Sequence, residues 1–400
     1  MDTMSGFDLD NPVFRANPYP AYRFWREAAP IWRAPTGHWL LTTHADCVAV
    51  LRDARFGHAN PDATVPDEFR NEAIVRQLRQ TMLLVDPPSH TRLRGLVAKA
   101  FTARRMEELR PRIEAVVDEL IDAVIGNGGM DVIADFAHKL PVTVICDMLG
   151  MPEQDRAPFL AKSNVRGRIL DPVALTREEL DTANASSLES AAYFKTLFAY
   201  RRANPGDDLT SALLAARAEN DDRLTDEEAL ANISLLFGAG HETTTNLIGN
   251  GVLALHRNPD QLAKLKADPA IMQNAVEELL RYDSPVQLTG RHAHVDVELR
   301  GQTIAKGEQV ITLLGAANHD PAAFEGDPDT LDVARPGVRA LSFGGGIHHC
   351  LGAQLARIEG EIAFRKLLER LPNLRLVDAE NVEWKPTVTL RGVMSLPAVW

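Results

Sequence analysis

A cysteine follows a run of glycines in Phe343-Gly344-Gly345-Gly346-Ile347-His348-His349-Cys350-Leu351-Gly352. Thiolates ligate soft metals and attack electrophiles, and they form most readily in a positive local field. Glycines allow backbone conformations and close approaches that other residues block. The pattern turns helical over 350–370, which sets a helix N-terminus against the sulfur. Free N–H groups and the macrodipole there would stabilise a thiolate, and such a loop could hold it against a large flat group. Three other readings stand beside this one. A dinucleotide loop would need glycine where His349 stands, and no βαβ pattern surrounds it. A zinc site would need separated ligands, whereas His348, His349 and Cys350 are contiguous. The third is a glycine-rich turn around a buried cysteine. Cys47 and Cys146 sit in apolar runs, HADCVAV and VTVICDML, that suit plain core packing.

A second polar group interrupts an apolar helical pattern at Ala239-Gly240-His241-Glu242-Thr243-Thr244-Thr245-Asn246. Gly238 and Gly240 each cost about 1 kcal/mol in a helix relative to alanine, and three β-branched threonines add strain. A carboxyl beside hydroxyls could do acid–base work; a surface stripe or a packing kink would also account for them. Glu278 and Arg281 stand at i,i+3, where they can pair on one helix face. In Asp86-Pro87-Pro88-Ser89-His90-Thr91-Arg92-Leu93-Arg94, His90 and Arg94 stand at i,i+4, a spacing that can clamp a carboxylate or merely face solvent.

These groups need a frame, and the frame is mainly helical. Helices are expected at 18–28, 44–53, 88–99, 104–125, 132–149, 153–163, 176–203, 225–256, 268–282 and 350–370. The 225–256 pattern opens with Thr225 and Glu228 at capping-box spacing, stops before Asn258-Pro259, and would run about 45 Å. PIWRAPTGHWLLTT reads as a β-hairpin turning at Thr36-Gly37. HVDVELRGQTIAKGEQVITL alternates and reads as a small antiparallel sheet. The C-terminal tail reads as extended. No repeat or linker-like stretch appears, which favours one domain over residues 1–400.

The chain has 400 residues, 45% of them apolar, enough for a large core. A net charge of −12 argues against nucleic acid as a partner. The first twenty residues lack the basic and apolar regions of a signal peptide. No apolar run reaches the 18 residues a membrane helix needs, so the expected location is the cytoplasm. Three widely spaced cysteines are no disulfide framework.

The cysteine loop resembles the cytochrome P-450 signature Phe-Gly-x-Gly-x-His-x-Cys-x-Gly at every fixed position: Phe343, Gly344, Gly346, His348, Cys350 and Gly352. Residues 239–244 are similar to the family's Ala/Gly-Gly-x-Asp/Glu-Thr-Thr motif, and Glu278-Leu279-Leu280-Arg281 to its Glu-x-x-Arg motif. The likeness runs from about residue 10 to Trp400. It implies a mainly α fold with small β-sheets (α+β), a triangular prism of helices around a buried haem. The β-rich part would come from the early, 295–315 and C-terminal segments. It implies haem b (iron protoporphyrin IX) with the Cys350 thiolate on iron, Phe343 packed beneath the sulfur, and Gly344 and Gly352 shaping the loop. By the same resemblance His90, Arg94, Arg291 and His348 hold the propionates. Ala239 and Gly240 let oxygen and substrate approach, Glu242 and Thr243 deliver protons, and Glu278 and Arg281 lock with Arg335 beneath the loop.

The expected reaction is insertion of one atom of dioxygen into a mid-sized apolar substrate of terpenoid, steroid, polyketide or fatty acyl type. The expected lining is Leu236, Ala239, Val286, Leu288, Thr289, Val393 and Met394, with part of 60–84, and Gln287 and Thr289 as polar anchors. Electrons would come from NAD(P)H through a separate ferredoxin or flavodoxin and its reductase. The ferredoxin would dock on a basic patch of Lys99, Arg104, Arg105 and Arg357, and the protein would be a monomer. A peroxide-driven enzyme and a non-catalytic module of the same fold are the alternatives. The intact Glu242-Thr243 pair speaks against the first and Cys350 against the second.

Overall fold

The computed structural model describes residues 11–58, 69, 71–99, 101–157, 167–172, 175–215 and 224–400. They divide into two compact units. The first comprises the residues up to Phe56, Pro111–Leu140 and Thr243–Trp400; the second comprises Gly57–Arg110 and Pro141–Glu242.

The first unit holds the sheets. Strands β1 (Ile31–Arg33) and β2 (Trp39–Leu41) form the expected hairpin, with Gly37 at φ +90° in its turn. A two-residue strand, β3 (Phe56–Gly57), lies where the chain leaves this unit. Strand β4 is Gly129–Asp131, β5 is Thr289–Ala293, β6 is Val297–Leu299, β7 is Gln302–Ile304 and β8 is Gln309–Thr312. The main sheet runs β1-β2-β8-β5-β3. Strand β8 lies parallel to β2, with Trp39 opposite Val310, and antiparallel to β5, with Arg291 opposite Val310. The alternating 294–313 segment is therefore not one small sheet. Its first half is the β6–β7 hairpin, while β8 joins the main sheet. Arg300 and Gly301 both have positive φ at the β6–β7 turn, as a two-residue hairpin of matching twist requires. Leu41, Cys47, Val50, Leu51, Ala293, Ile304, Val310 and Leu341 share one core against this sheet. Strand β9 (Arg375–Leu376) and strand β10 (Pro397–Val399) complete a second sheet, β4-β10-β9.

The helices of this unit include Tyr19–Ala28, His44–Arg52, Pro259–Ala267, Met272–Tyr282 and Ala353–Arg370. Helix Asp226–Arg257 is unbroken, and its last part, from Thr243, belongs here. It packs closely at Gly251, where a Cβ would overlap the Phe364 ring. The expected 132–149 helix is instead a π-turn, Val132–Ala137, followed by Lys139–Met148. The Asp131 carboxylate caps the π-turn by accepting from the Ile133 and Ala134 amides.

The second unit is helical, with Ser89–Ala98, Ala103–Glu108, Arg177–Ala203 and the stretch Asp226–Glu242 of the long helix. The expected capping box forms: the Thr225 hydroxyl accepts from the Glu228 amide, and the Glu228 carboxylate accepts from the Thr225 amide. Of the expected 153–163 helix, Glu153–Asp155 is one 3-10 turn, and 158–163 lies outside the described residues.

Candidate functional site

Gly344 and Gly346 both adopt φ +66°, the left-handed region that suits glycine. At Gly346 a Cβ would collide with the Leu51 carbonyl oxygen. The loop closes when the Cys350 amide donates to the Phe343 carbonyl at 2.9 Å, and the Gly344 amide donates to Leu341 at 2.8 Å. That closure corrects one expectation. The helix begins at Ala353 with Gly352 as its cap, not at Cys350, whose amide closes the loop.

The three cysteines differ sharply. Cys47 and Cys146 are buried, and burial pushes the Cys146 thiol up to about 12 and the Cys47 thiol higher still. Cys350 is exposed and is the cysteine that a ligand can reach. Phe343 lies under the Arg357 guanidinium at 4.5 Å, and Arg357 also pairs with Glu277. Arg357 is thus engaged rather than free on the surface. Among the described residues no cluster of His, Cys, Asp and Glu could hold a metal ion, so the zinc reading finds no support.

A saturated polar network lies beneath this loop. Arg281 grips Glu278 with two hydrogen bonds, at 2.7 and 2.8 Å, both side chains fully buried. Arg335 Nε donates to the same carboxylate at 3.1 Å, as does the Asp332 amide at 2.9 Å. The spare guanidinium N–H groups donate to the carbonyls of Asn318, Pro328, Thr330, Glu325 and Asp327. Asn318 then reaches the loop: its Oδ1 accepts from the Leu341 amide at 2.7 Å and its Nδ2 donates to Ser342 Oγ at 3.0 Å. Ser342 donates on to the Leu280 carbonyl at 2.6 Å. Sequence reading found the two arginines and the glutamate but assigned nothing to Asn318 or Ser342. A lone buried serine or asparagine has no periodic signal; only its partners reveal it.

On the long helix, Ala239 is exposed and Gly238, Gly240 and Thr243 are half-buried, while Leu236, Phe237, His241 and Glu242 are buried. Between Ala229 and Leu255 of this helix Ala239 is the exposed residue, flanked by the half-buried glycines. His241 bonds through Nδ1 to the Phe237 carbonyl at 2.7 Å. His90 is buried on helix Ser89–Ala98, with Arg94 one turn on and half-buried. Arg92, between them, pairs with Glu228. In the first unit, Arg291 is buried on β5 and donates to the Thr289 hydroxyl and the Gly290 carbonyl.

The expected lining is only partly brought together. The bridge Val286↔Leu390 and the bond from the Gln287 amide to the Thr389 carbonyl join two of its segments. Leu288 is buried, and Val393 is buried against the long helix at Gly249. Met394 is exposed on the other side of the chain. Gln287, expected as a polar anchor, is buried, and its side-chain N–H groups donate to the Ser284 carbonyl and the Tyr19 hydroxyl. Of the charged residues in the 60–84 loop, Asp62, Asp67, Glu68 and Arg70 lie outside the described residues, and Arg76 is exposed. In the expected basic patch, Arg104 is paired with Glu108 and Arg105 approaches Asp207.

A soft thiolate donor in a glycine cradle, backed by a buried ionic scaffold, suits a thiolate-ligated macrocycle. The family model for cytochrome P-450 matches residues 177–390. The chain is 42% identical over 395 residues to Vitamin D(3) 25-hydroxylase of Pseudonocardia autotrophica, covering 98% of this chain and 95% of that protein. It superposes on the crystal structure of P-450 BioI in complex with hexadec-9Z-enoic acid ligated acyl carrier protein. The TM-score is 0.90 at 40% identity, over 97% of this chain and 99% of that one. A myxobacterial cytochrome P-450 in complex with myristic acid gives a TM-score of 0.88 at 41% identity, over 98% of each chain. This chain belongs to the cytochrome P-450 family of haem-thiolate monooxygenases, whose cofactor is iron protoporphyrin IX. No helix among the described residues is long and apolar enough to cross a membrane.

Proposed function

We propose that this protein is a monooxygenase of mid-sized apolar substrates, with Cys350 as the sulfur ligand to haem iron. The observation that carries this is the exposed Cys350 in its two-glycine cradle, in a chain related over nearly its whole length to known members. That full-length likeness supports one family domain over 1–400. The haem would supply the redox chemistry of dioxygen activation, with thiolate donation favouring O–O cleavage. Cys350 would bind as the deprotonated sulfur. His90, Arg94, Arg291 and His348 would offer N–H donors to the two propionates, whose burial demands such partners. Ala239 and Gly240 would leave room over the small-residue face of the helix. Glu242 and Thr243 would hold and pass protons there. Glu278, Arg281 and Arg335 would keep the cysteine loop rigid from below.

Among the expected substrates we favour a fatty acyl chain, because two of the relatives named above carry fatty acyl ligands. The proposed lining, with Leu236, Ala239, Val286, Leu288 and Val393, is mostly apolar, so binding would come from burial at about 25 cal/mol per Å². Electrons would arrive from NAD(P)H through a separate ferredoxin and its reductase, to a cytoplasmic monomer. The test is Thr243→Ala with a substrate found by its shift of the haem absorption band. The variant should bind that substrate as wild type does, consume NADPH, and release peroxide in place of product. Equal product per NADPH in both proteins would contradict the proton-delivery role.

A further inference from the structure

A cleft of about 280 Å³ opens in the first unit, between helix Tyr19–Ala28 and the C-terminal end of the long helix. That volume is near the small end of ligand pockets, which run from roughly 300 to 1,000 Å³. None of its lining residues belongs to the cysteine loop or to the proposed substrate lining. Leu253 and Ala254, both buried, give it an apolar wall. The Tyr19 ring stacks on His319 at 4.3 Å, and the Tyr282 ring lies 6.0 Å from the same imidazole. Three arginines and two aspartates also line the cleft. Asp283 accepts from the Tyr19 hydroxyl and from Arg391 Nε, each at 2.6 Å. Asp329 pairs with Arg23 and with His319 Nδ1. Each carboxylate is thus matched by an arginine, and Arg257 is the cation left over. Its Nε donates to the Ala379 carbonyl at 2.8 Å and its Nη2 to the Glu380 carbonyl at 3.4 Å. Among the described residues it has no carboxylate partner, and Nη1 has no acceptor. The Ala254 carbonyl, which would repel an anion, already accepts from Asn258 Nδ2 at 2.8 Å.

We propose that this cleft is a second ligand site, which binds a small aromatic monocarboxylate with its carboxylate on Arg257 and its ring against the tyrosines and the apolar wall. The planar guanidinium suits a carboxylate, and one already held in place loses less freedom on binding. A cationic ligand finds both aspartates spent. An inorganic anion gains the charge contact alone and buries no apolar surface. A neutral ring buries surface but leaves Arg257 as it was. A ring that carries one carboxylate uses both features. The site stands whether or not the monooxygenase reading does.

The test uses the purified, haem-loaded protein and fluorine NMR. The probe is para-fluorobenzoate, with para-fluorobenzyl alcohol as its neutral control. Wild type should bind the acid while the haem absorption band stays where it is. The alcohol should bind about tenfold more weakly, as loss of one charge-assisted contact implies. Arg257→Gln should weaken the acid by the same factor and leave the alcohol unchanged, which also shows that the variant folds. Arg257→Lys should recover part of the loss. Ala16 lines the cleft and is exposed, so Ala16→Trp adds bulk there without touching Arg257 and should weaken both probes. Inorganic phosphate should not displace the acid. Failure of wild type to bind the acid would overturn the proposal. So would equal affinity for acid and alcohol, displacement by phosphate, or Arg257→Gln that binds the acid as wild type does. A haem band that moves with the acid, with binding unchanged in Ala16→Trp, would put the acid at the haem and overturn it as well.

Discussion

The first unit holds two kinds of buried acid. Glu278 accepts from Arg281, Arg335 and the Asp332 amide, so its charge is compensated. Glu359 sits on the next long helix of the same unit, buried, with neither carboxyl oxygen in hydrogen-bond geometry. The first arrangement resists change, since removing one partner leaves a buried charge only partly compensated. The second leaves a group free to gain and lose a proton. Compensation marks scaffold, and the molecule places that scaffold under the cysteine loop.

Breaking the scaffold should have the largest effect. Arg281→Leu leaves the Glu278 carboxylate with Arg335 and the Asp332 amide as its donors and removes the contacts of Arg281 to three carbonyls. It should cost about 3–5 kcal/mol and lower the haem content of purified protein. Thermal melting that matches wild type would remove the support role.

Glu359 should give a smaller effect with a characteristic pH dependence. Its folded pKa, about 8, lies above that of an ordinary glutamate. Between those two values the folded state keeps a proton that the unfolded state has lost. Stability from this group is therefore full at acid pH and falls as pH rises through the window, by about 1.4 kcal/mol per unit. Glu359→Gln should flatten that slope, as read by denaturant titration at several pH values. An unchanged slope would mean the carboxyl is already ionised.

The smallest effect belongs at the start of the long helix. Thr225→Ala removes one side of the capping box and should cost about 1 kcal/mol, with the haem spectrum unchanged. A spectral change would mean that the start of the long helix influences the site.

Much of this contrast could be read from sequence, and some could not. The hairpin at Gly37 and the capping box at Thr225 were legible because turn and cap chemistry is local. The Glu278–Arg281 pair was legible by spacing, and Arg335 by the family pattern. Asn258-Pro259 correctly ended the long helix, yet Pro259 also starts the next one, Pro259–Ala267, since proline suits a first helical turn. Glu359 could not be singled out: Glu359 and Glu361 stand two apart in the same helix, and only the packed structure buries the first. The helix start at Ala353 was missed for a similar reason, because a loop bond to Cys350 leaves no mark in composition.

The central claim is that Cys350 is the haem ligand, and the reduced carbon monoxide spectrum tests it most directly. Wild type should show the red-shifted band of thiolate ligation, and Cys350→Ala should lose it completely while Cys146→Ala keeps it. Persistence of that band in Cys350→Ala would contradict the account.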